Sequence, residues 1–170
     1  MSVSPTRLNH AVLFVADVDR SVAFYTTVFG MEVVVHEPHA AFLRLPKSGN
    51  HHDLGLFAVG AAPTPRRRGE VGLYHLAWQL DTIDELAEAR QVLLGAGALT
   101  GESDHGTAKS LYGADPDGNE FELMWMVPRD SWGAAENAAS TRRLDLQAEI
   151  SRWHDVHTAG ELVGASQVEK

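Results

Sequence analysis

The sequence has 170 residues, of which 44% are hydrophobic and none is cysteine, and its formal net charge at pH 7 is −9. This length supports one domain with a sizeable core, and the missing thiols exclude disulfides, thiolate metal sites and cysteine nucleophiles. The negative charge opposes binding to phosphates, so nucleic acid is not an expected partner.

We expect neither a membrane segment nor a secretion signal from this sequence. No apolar run approaches the ~20 residues that span a bilayer. The first ten residues, MSVSPTRLNH, lack the charged head, apolar run and cleavage site of a signal peptide. We therefore expect a cytoplasmic protein with no membrane partner. The basic run at residues 66–68 lies in a Pro-rich loop and is interpreted as solvated.

The first half of the chain predicts a βαβββ module. Residues 7–16 are expected to form a strand that contains His10, and Asp17 can cap the following helix, which ends at Gly30. Further strands are expected at 31–36, 40–45 and 53–59, with a turn at 47–50. His51 and His52 open the last of these strands.

The second half repeats this order of elements. Residues 71–80 are expected to form a strand that contains His75, and a helix is expected at 82–94 with Asp81 as its cap and Gly95 as its end. Strands at 98–101 and 108–114 follow. The Asp115-Pro116-Asp117-Gly118 turn then leads into a last strand that closes before Pro128.

The residues after Val127 form a separate segment that is rich in alanine, serine and charge. A helix is expected at 141–154, because Leu146, Ile150 and Trp153 recur at helical spacing. Residues 155–170 are expected to fray. Two interpretations stay open: the segment covers an edge of its own domain, or it contributes to dimer contacts.

A gap-free repeat relates the two halves. Adding 65 to a residue number pairs Leu8 with Leu73, His10 with His75, Asp19 with Asp84, and Gly30 with Gly95. A lone histidine in an apolar strand is usually a core residue, but two at one offset are rarely a coincidence. His10 and His75 are therefore interpreted as symmetry mates that face one cavity.

Glu122 lies in the middle of an apolar strand, where a carboxylate is costly unless it is paired, hydrogen-bonded or bound to a metal. Glu120 points to the same face but adjoins the turn, so it is expected to be solvated. Together with His10 and His75, Glu122 makes a set of two imidazoles and one carboxylate.

Two βαβββ modules with this order of histidine, histidine and glutamate resemble the vicinal oxygen chelate superfamily, which includes glyoxalase I, bleomycin-resistance proteins and extradiol ring-cleaving dioxygenases. The resemblance covers residues 7 to 127. The closing segment is similar to the extradiol dioxygenase motif, and its matching residues are His105, Leu111, Tyr112, Asp115, Pro116, Gly118 and Glu122. Ser103 departs from that motif.

The resemblance implies an α+β fold in which two tandem modules, about 7–60 and 71–127, form one metal-centred incomplete barrel. The corresponding domain is 1–127, and 128–170 is a C-terminal helical extension. It further implies an Fe(II) cofactor, with Mn(II) as the alternative, held by His10, His75 and Glu122. The implied function is meta cleavage of a catechol-like substrate by O2, and a homo-oligomer is expected.

The resemblance also implies roles for three further residues. Tyr112 would hydrogen-bond a substrate oxygen, and His105 would supply a hydrogen bond in the same pocket. His52, followed by Asp53, would take a proton from the substrate and return it later, as the pKa of histidine permits. His51 is the alternative to His52. A lengthened loop at 60–70 accounts for the wide spacing between His52 and His75.

Two other functions remain open at this point: a glyoxalase-like isomerase with another divalent metal, and a ligand-binding protein of the bleomycin-resistance type. The metal site of glyoxalase I is similar but has four protein ligands, one of which is a second glutamate that the first module supplies. The repeat places Phe57 at the position that corresponds to Glu122, and Asp53 is four residues away. The lack of a carboxylate favours the three-ligand dioxygenase site.

Overall fold

The computed structural model of the chain describes residues 2–60, 69 and 71–161. It divides the chain into two compact units. Unit 1 comprises Met1–Glu70 with Asp115–Gly118, and unit 2 comprises Val71–Ala114 with Asn119–Lys170. Most of the loop at 60–70, including the basic run at 66–68, and the tail beyond residue 161 lie outside the described residues.

Unit 1 contains the first βαβββ module. Its elements are β1 (Ala11–Val15), α1 (Val18–Phe29), β2 (Glu32–Glu37), β3 (Ala40–Arg44) and β4 (Leu54–Ala58). The strands form one sheet in the order β1-β4-β3-β2, in which β1 and β4 are parallel and the other neighbours are antiparallel. Helix α1 packs on this sheet and buries Val18, Val22 and Tyr25.

Both ends of α1 follow from local sequence, as predicted. The Asp17 side chain accepts a hydrogen bond from the Arg20 amide, which satisfies one of the free N–H groups of the first turn. Gly30 ends the helix with φ at 63°, a left-handed conformation that glycine adopts without steric cost.

Unit 2 contains the second module with the same topology. Its elements are β5 (Leu76–Leu80), α2 (Ile83–Gly95), β6 (Leu99–Asp104), β7 (Ala108–Ala114) and β8 (Glu120–Met126). The strand order is β5-β8-β7-β6, with β5 and β8 parallel. Phe121, Leu123 and Trp125 on one face of β8 are buried. The predicted α+β class with two tandem modules is therefore confirmed, whereas the metal-centred barrel stays a prediction.

Thr82, and not Asp81, caps α2. The Thr82 hydroxyl accepts a hydrogen bond from the Glu85 amide, so the predicted cap was wrong by one residue. The Asp81 carboxylate instead accepts hydrogen bonds from the amides of Thr158 and Ala159. The chain therefore does not fray directly after residue 154, because residues 158 and 159 are tied to the start of α2.

The turn Asp115–Gly118 connects β7 to β8 and is counted with unit 1. Its predicted conformation is confirmed: the Asp117 amide donates to the Asp115 side chain at 2.9 Å, and Gly118 has φ at 81°. The Tyr25 hydroxyl donates to the buried Asp115 carboxylate at 3.0 Å. Burial, together with the neighbouring carboxylate of Asp115, raises the pKa of Tyr25 well above its usual value, so this hydroxyl stays a donor.

The C-terminal extension begins with short 3-10 helices at Arg129–Ser131 and Gly133–Asn137 and continues into α3 (Leu146–Trp153). Helix α3 is shorter than predicted, because Asp145 caps it. Residue Arg142 forms an antiparallel bridge with Asp104 at the end of the edge strand β6. This contact supports the interpretation that the extension covers an edge of its own domain. A role in dimer contacts stays a prediction.

None of the helices in the described part of the chain combines the length and the apolar character that crossing a bilayer requires.

Candidate metal centre

The carboxylate of Glu122 has the partner that its apolar surroundings require. Glu122 is only 8% exposed, and its Oε2 lies 3.0 Å from Nε2 of His75. His75 directly precedes β5, and the parallel register of β5 and β8 places Ala77 beside Glu122. Glu120, two residues earlier on β8, is exposed. Glu122 is therefore the carboxylate that lies next to an imidazole in unit 2.

Tyr112 lies directly across from Glu122 in the antiparallel pair of β7 and β8. Its ring centroid is 5.6 Å from that of His75. Burial, followed by the nearby Glu122 carboxylate, raises the pKa of Tyr112 to about 12. The phenol therefore keeps its proton at neutral pH and can donate a hydrogen bond in this pocket.

His105 completes the cluster in unit 2. Its Nε2 is 2.7 Å from the Tyr112 hydroxyl, and its Nδ1 is 3.0 Å from the backbone carbonyl of Ser140. Sequence reasoning selected His105 and Tyr112 but missed Ser140. A backbone carbonyl has no residue-type signal, and Ser140 lies outside the motif that carried the resemblance.

His10 and His52 lie together in unit 1, with ring centroids 4.5 Å apart. His10 is exposed and directly precedes β1, so it does not lie inside the strand as predicted, and His75 likewise precedes β5. Burial, with smaller contributions from His10 and His51, lowers the pKa of His52. The neutral imidazole that results is the form that can accept a proton.

The other neighbours of His52 differ from the expectation. The His51 Nδ1 lies 3.1 Å from the His52 Nδ1, so both predicted candidates belong to one cluster. The buried Asp53 carboxylate accepts hydrogen bonds from the Leu45 amide and the Ser48 hydroxyl. Asp53 therefore holds the turn before β4. The missed neighbour is Phe42, whose ring centroid is 4.9 Å from that of His52.

The position that corresponds to Glu122 in unit 1 is Gly55, and the predicted Phe57 was wrong. Gly55 lies beside Val12 in the β1 and β4 register, as Glu122 lies beside Ala77 in unit 2. The 65-residue offset holds from β1 to the start of α1 but becomes 67 at the last strand. A Cβ atom on Gly55 would meet Phe42 and Val12 at 3.4 Å, so rings and methyl groups fill the place of a side chain.

The structure thus assembles His75, Tyr112, His105 and Glu122 in unit 2, and His10 with His52 in unit 1. The three-ligand set of His10, His75 and Glu122 stays a prediction. A separate group of exposed or half-buried ligand atoms, from Asp84, His154 and Asp155, lies within 4.8 Å at the start of α2. It contains none of the predicted ligands.

The donor atoms in unit 2 fit a metal ion. The Nε2 atom of His75 and the Oε2 atom of Glu122 converge to 3.0 Å, as two ligands that face one ion would. The Nδ1 atom of His75, on the other side of the ring, is buried and has no hydrogen-bond partner among the described residues, so the ring has no polar contact that would hold Nε2 away from an ion. Nitrogen and carboxylate oxygen suit iron, manganese and other divalent metals, and the chain has no sulfur ligand from cysteine.

Comparison with known proteins gives a family and several relatives. A family model described as the Glyoxalase/Bleomycin resistance protein/Dioxygenase superfamily matches residues 7–123. Catechol-2,3-dioxygenase from Bacillus subtilis (strain 168) is 33% identical over 127 residues, which are 75% of this chain and 44% of that protein. Metallothiol transferase FosB from Lysinibacillus sphaericus (strain C3-41) is 30% identical over 119 residues, which are 68% of this chain and 79% of that protein.

Solved structures share the fold. A glyoxalase/dioxygenase from Nostoc punctiforme aligns with a TM-score of 0.63 and 22% identity, over 75% of this chain and 97% of that chain. A quarter of this chain therefore has no counterpart in it. The chain also spans less than two thirds of the length of the dioxygenase relatives that it matches at 31 to 34% identity.

Proposed function

The chain belongs to the glyoxalase/bleomycin resistance protein/dioxygenase superfamily, and from this premise we propose that it is an Fe(II)-dependent extradiol dioxygenase that acts on a catechol-like substrate. The observation that carries the proposal is the hydrogen bond between Tyr112 and His105 beside the pair of His75 and Glu122. These residues supply a carboxylate and an imidazole for a metal, and a phenol and a second imidazole for a substrate.

The proposed ligands are His10, His75 and Glu122. Two imidazoles and one carboxylate on one face of an octahedral ion leave three positions open, which is typical of non-haem Fe(II) oxygenases. Iron bound there would act as a Lewis acid and would pass electrons from the catechol, which is the reductant, to O2. Manganese prefers similar ligands, so Mn(II) is the second candidate.

The proposed roles of the other residues follow from their protonation. The Tyr112 hydroxyl stays protonated and lies 2.7 Å from His105, so with its proton on that side its oxygen can accept a hydrogen bond from a substrate hydroxyl beside Glu122. His52 is biased towards the neutral form, and its Nδ1 faces His51, so Nε2 is the atom that would take a proton from the substrate. Phe42 covers one side of the His52 ring and would limit its access to water.

The arrangement disfavours the two alternatives from the sequence. A glyoxalase-like isomerase with four protein ligands needs a second carboxylate, and Gly55 takes the position where the module symmetry would place it. A ligand-binding protein does not need a nearly buried carboxylate next to an imidazole, an arrangement that is costly without a function. The FosB relative makes a metal-dependent transferase a further outcome of the test.

Oxygen consumption tests the proposal directly. The protein is purified without oxygen, reconstituted with Fe(II) or Mn(II), and given a panel of substituted catechols in an oxygen electrode, with absorbance followed for the yellow ring-opened product. Uptake of O2 with a yellow product supports extradiol cleavage and ranks the substrates. Tight iron binding without O2 uptake for any catechol would contradict the dioxygenase activity but would still support the metal site. Failure to bind either Fe(II) or Mn(II) would contradict both the activity and the metal site.

A further inference from the structure

The C-terminal extension forms a short ladder with the hairpin that carries His105. The Asp104 amide donates to the Arg142 carbonyl at 2.9 Å, and the Arg142 amide donates back to the Asp104 carbonyl at 2.9 Å. The Ser140 hydroxyl donates to the His105 carbonyl at 2.9 Å. Three hydrogen bonds therefore fix residues 140–142 against the backbone of residues 104 and 105.

This ladder determines which nitrogen of His105 carries the proton. The His105 Nδ1 lies 3.0 Å from the Ser140 carbonyl oxygen, which can only accept a hydrogen bond. The Thr141 hydroxyl also lies near Nδ1, at 3.5 Å, but a hydroxyl can accept as well as donate. The shorter contact with the carbonyl therefore makes Nδ1 the protonated nitrogen. In the neutral ring the other nitrogen, Nε2, is then an acceptor, and it lies 2.7 Å from the Tyr112 hydroxyl.

The tautomer of His105 in turn decides where the Tyr112 proton points. Tyr112 and Glu122 are direct cross-strand neighbours, so the Glu122 carboxylate is a second acceptor on the same face as the Tyr112 ring. If Nε2 of His105 carried the proton, it would donate to the Tyr112 oxygen, and Tyr112 would donate to Glu122. With the proton on Nδ1, Tyr112 donates to His105 and the Glu122 oxygens stay available to other partners.

The contact around Gly106 shows how closely the extension lies on this hairpin. Gly106 has φ at 82°, and a Cβ atom there would lie 2.8 Å from the Ala135 Cβ and 3.2 Å from the Ser140 Oγ. A side chain at residue 106 would push the extension away. The match to the family ends at residue 123, so the extension is an addition to the part of the chain that carries the resemblance.

We propose that residues 140–142 are a positioning element for the candidate metal centre, in which the Ser140 carbonyl holds His105 as its Nδ1–H tautomer and thereby directs the Tyr112 proton to His105 and away from Glu122. The link to catalysis rests on the proposed function. The tautomer and the availability of Glu122 do not, because they follow from the hydrogen bonds within unit 2.

The test compares Gly106→Ala with Gly97→Ala. Gly97 also has a left-handed backbone, with φ at 65°, but a Cβ atom there would meet nothing within 4 Å. Both variants therefore strain the backbone, and only Gly106→Ala displaces the extension. Nitrogen-15 NMR of the metal-free proteins reports which nitrogen of His105 is protonated, and titration with Mn(II) reports metal affinity.

We expect the parent protein and Gly97→Ala to carry the His105 proton on Nδ1. Gly106→Ala should show a mixture of tautomers and bind Mn(II) ~10-fold more weakly, because a hydrogen bond from Tyr112 to the charged Glu122 would compete with the metal for that carboxylate. Adding Ala135→Gly to Gly106→Ala removes the closest contact and should restore Nδ1–H. If Gly106→Ala does not fold, Ser140→Ala replaces it in the test. This variant removes only the hydrogen bond from the Ser140 hydroxyl to the His105 carbonyl, so it should shift the tautomer in the same direction by a smaller amount.

Two results would overturn the inference: a parent protein with the His105 proton on Nε2, or a folded Gly106→Ala protein that keeps the parent tautomer and metal affinity. The outcomes also separate this inference from the proposed function. An Nδ1–H tautomer in a protein that cleaves no catechol supports the positioning element and contradicts the dioxygenase. Catechol cleavage by a protein whose His105 carries its proton on Nε2 would support the dioxygenase and contradict the positioning element.

Discussion

At the scale of single residues, the carboxylate in the apolar strand β8 is the strongest functional observation. A buried charge is retained only with a partner, because its desolvation costs several kcal/mol. Glu122 lies 3.0 Å from His75, whereas Glu120 on the same strand is exposed. The two glutamates therefore offer a matched pair of variants, one at the candidate centre and one in solvent.

We predict that Glu122→Gln loses bound iron while the chain still folds, and that Glu120→Gln keeps it. The amide has the shape of the carboxylate but lacks the charge that a divalent metal requires. His10→Ala and His75→Ala should lose iron in the same way. Iron content after gel filtration is the measurement, with circular dichroism as the control for folding. Parent-like iron content in any of the three variants would remove that residue from the ligand set.

His51 and His52 can be tested separately. Their rings are in contact, but among the ring contacts of the described residues it is His52 that lies against His10 and Phe42. We predict that His52→Ala keeps its metal but turns over ~100-fold more slowly, within the usual contribution of a general base. His51→Ala should stay close to the parent rate. Steady-state kinetics with the best catechol decides, and the opposite ranking would assign the proton transfer to His51.

At the scale of elements, the hairpin between β6 and β7 differs between the modules. Val35 and Phe42 are a register pair in unit 1 and are seven residues apart, whereas their counterparts Gly101 and Tyr112 are eleven apart. The four additional residues lengthen the hairpin that carries His105. The second module therefore supplies both the histidine and the surface on which residues 140–142 rest.

The connection between α2 and the segment after α3 is an electrostatic one. The hydrogen bond with Asp84 raises the pKa of His154, and the hydrogen bond with Asp81 raises the pKa of His157. The hydrogen bond with His157, followed by backbone amides of the segment, lowers the pKa of Asp81. The Asp155 amide, followed by His154, lowers the pKa of Asp84. Both histidines are fully exposed, so these ion pairs are screened by salt.

We predict that the contacts of His154 and His157 with Asp84 and Asp81 weaken both at high pH and at low pH. The histidine contribution is present below the ordinary value of 6.5 and is lost as pH rises through their raised pKa values. The aspartate contribution is present above 3.8 and is lost as pH falls through their lowered pKa values. Exchange protection of the Thr158 and Ala159 amides, corrected for the intrinsic pH dependence, should therefore be greatest between these values.

NMR titration of the two histidines checks the pairing. Asp81→Asn should return the pKa of His157 towards 6.5 and leave that of His154 raised, while Asp84→Asn should do the opposite. Each variant is therefore the control for the other. If neither substitution lowers the pKa of its partner histidine, the ion pairs do not form in solution.

At the scale of the whole molecule, a bound metal should stabilise the folded chain. Free metal at 100 times its dissociation constant adds about 2.7 kcal/mol to the free energy of unfolding if the unfolded chain does not bind it. We predict such an increase for Mn(II) in urea unfolding of the parent protein and none for His10→Ala. An equal increase in both proteins would remove His10 from the ligands of the stabilising ion, and Asp84, His154 and Asp155 would then be the first alternative site to test.

The sequence by itself determined the local elements and the chemistry of the residues. Helix α1 with its Asp17 cap and Gly30 end, the turn at Asp115–Gly118 and the exposure of Glu120 all follow from residue types within one turn or strand. The repeat likewise predicted two modules of the same topology. These features depend on local backbone preferences and on the side-chain alternation of a strand.

Only the tertiary structure decided the features that depend on pairing between distant segments. Gly55 replaced Phe57 as the counterpart of Glu122, because loops of different length shift the strand register and a linear offset cannot follow them. Thr82 took the cap of α2, while Asp81 bound a segment more than 70 residues away. The Ser140 carbonyl reached His105 across 35 residues, and a backbone oxygen has no identity that a sequence can display.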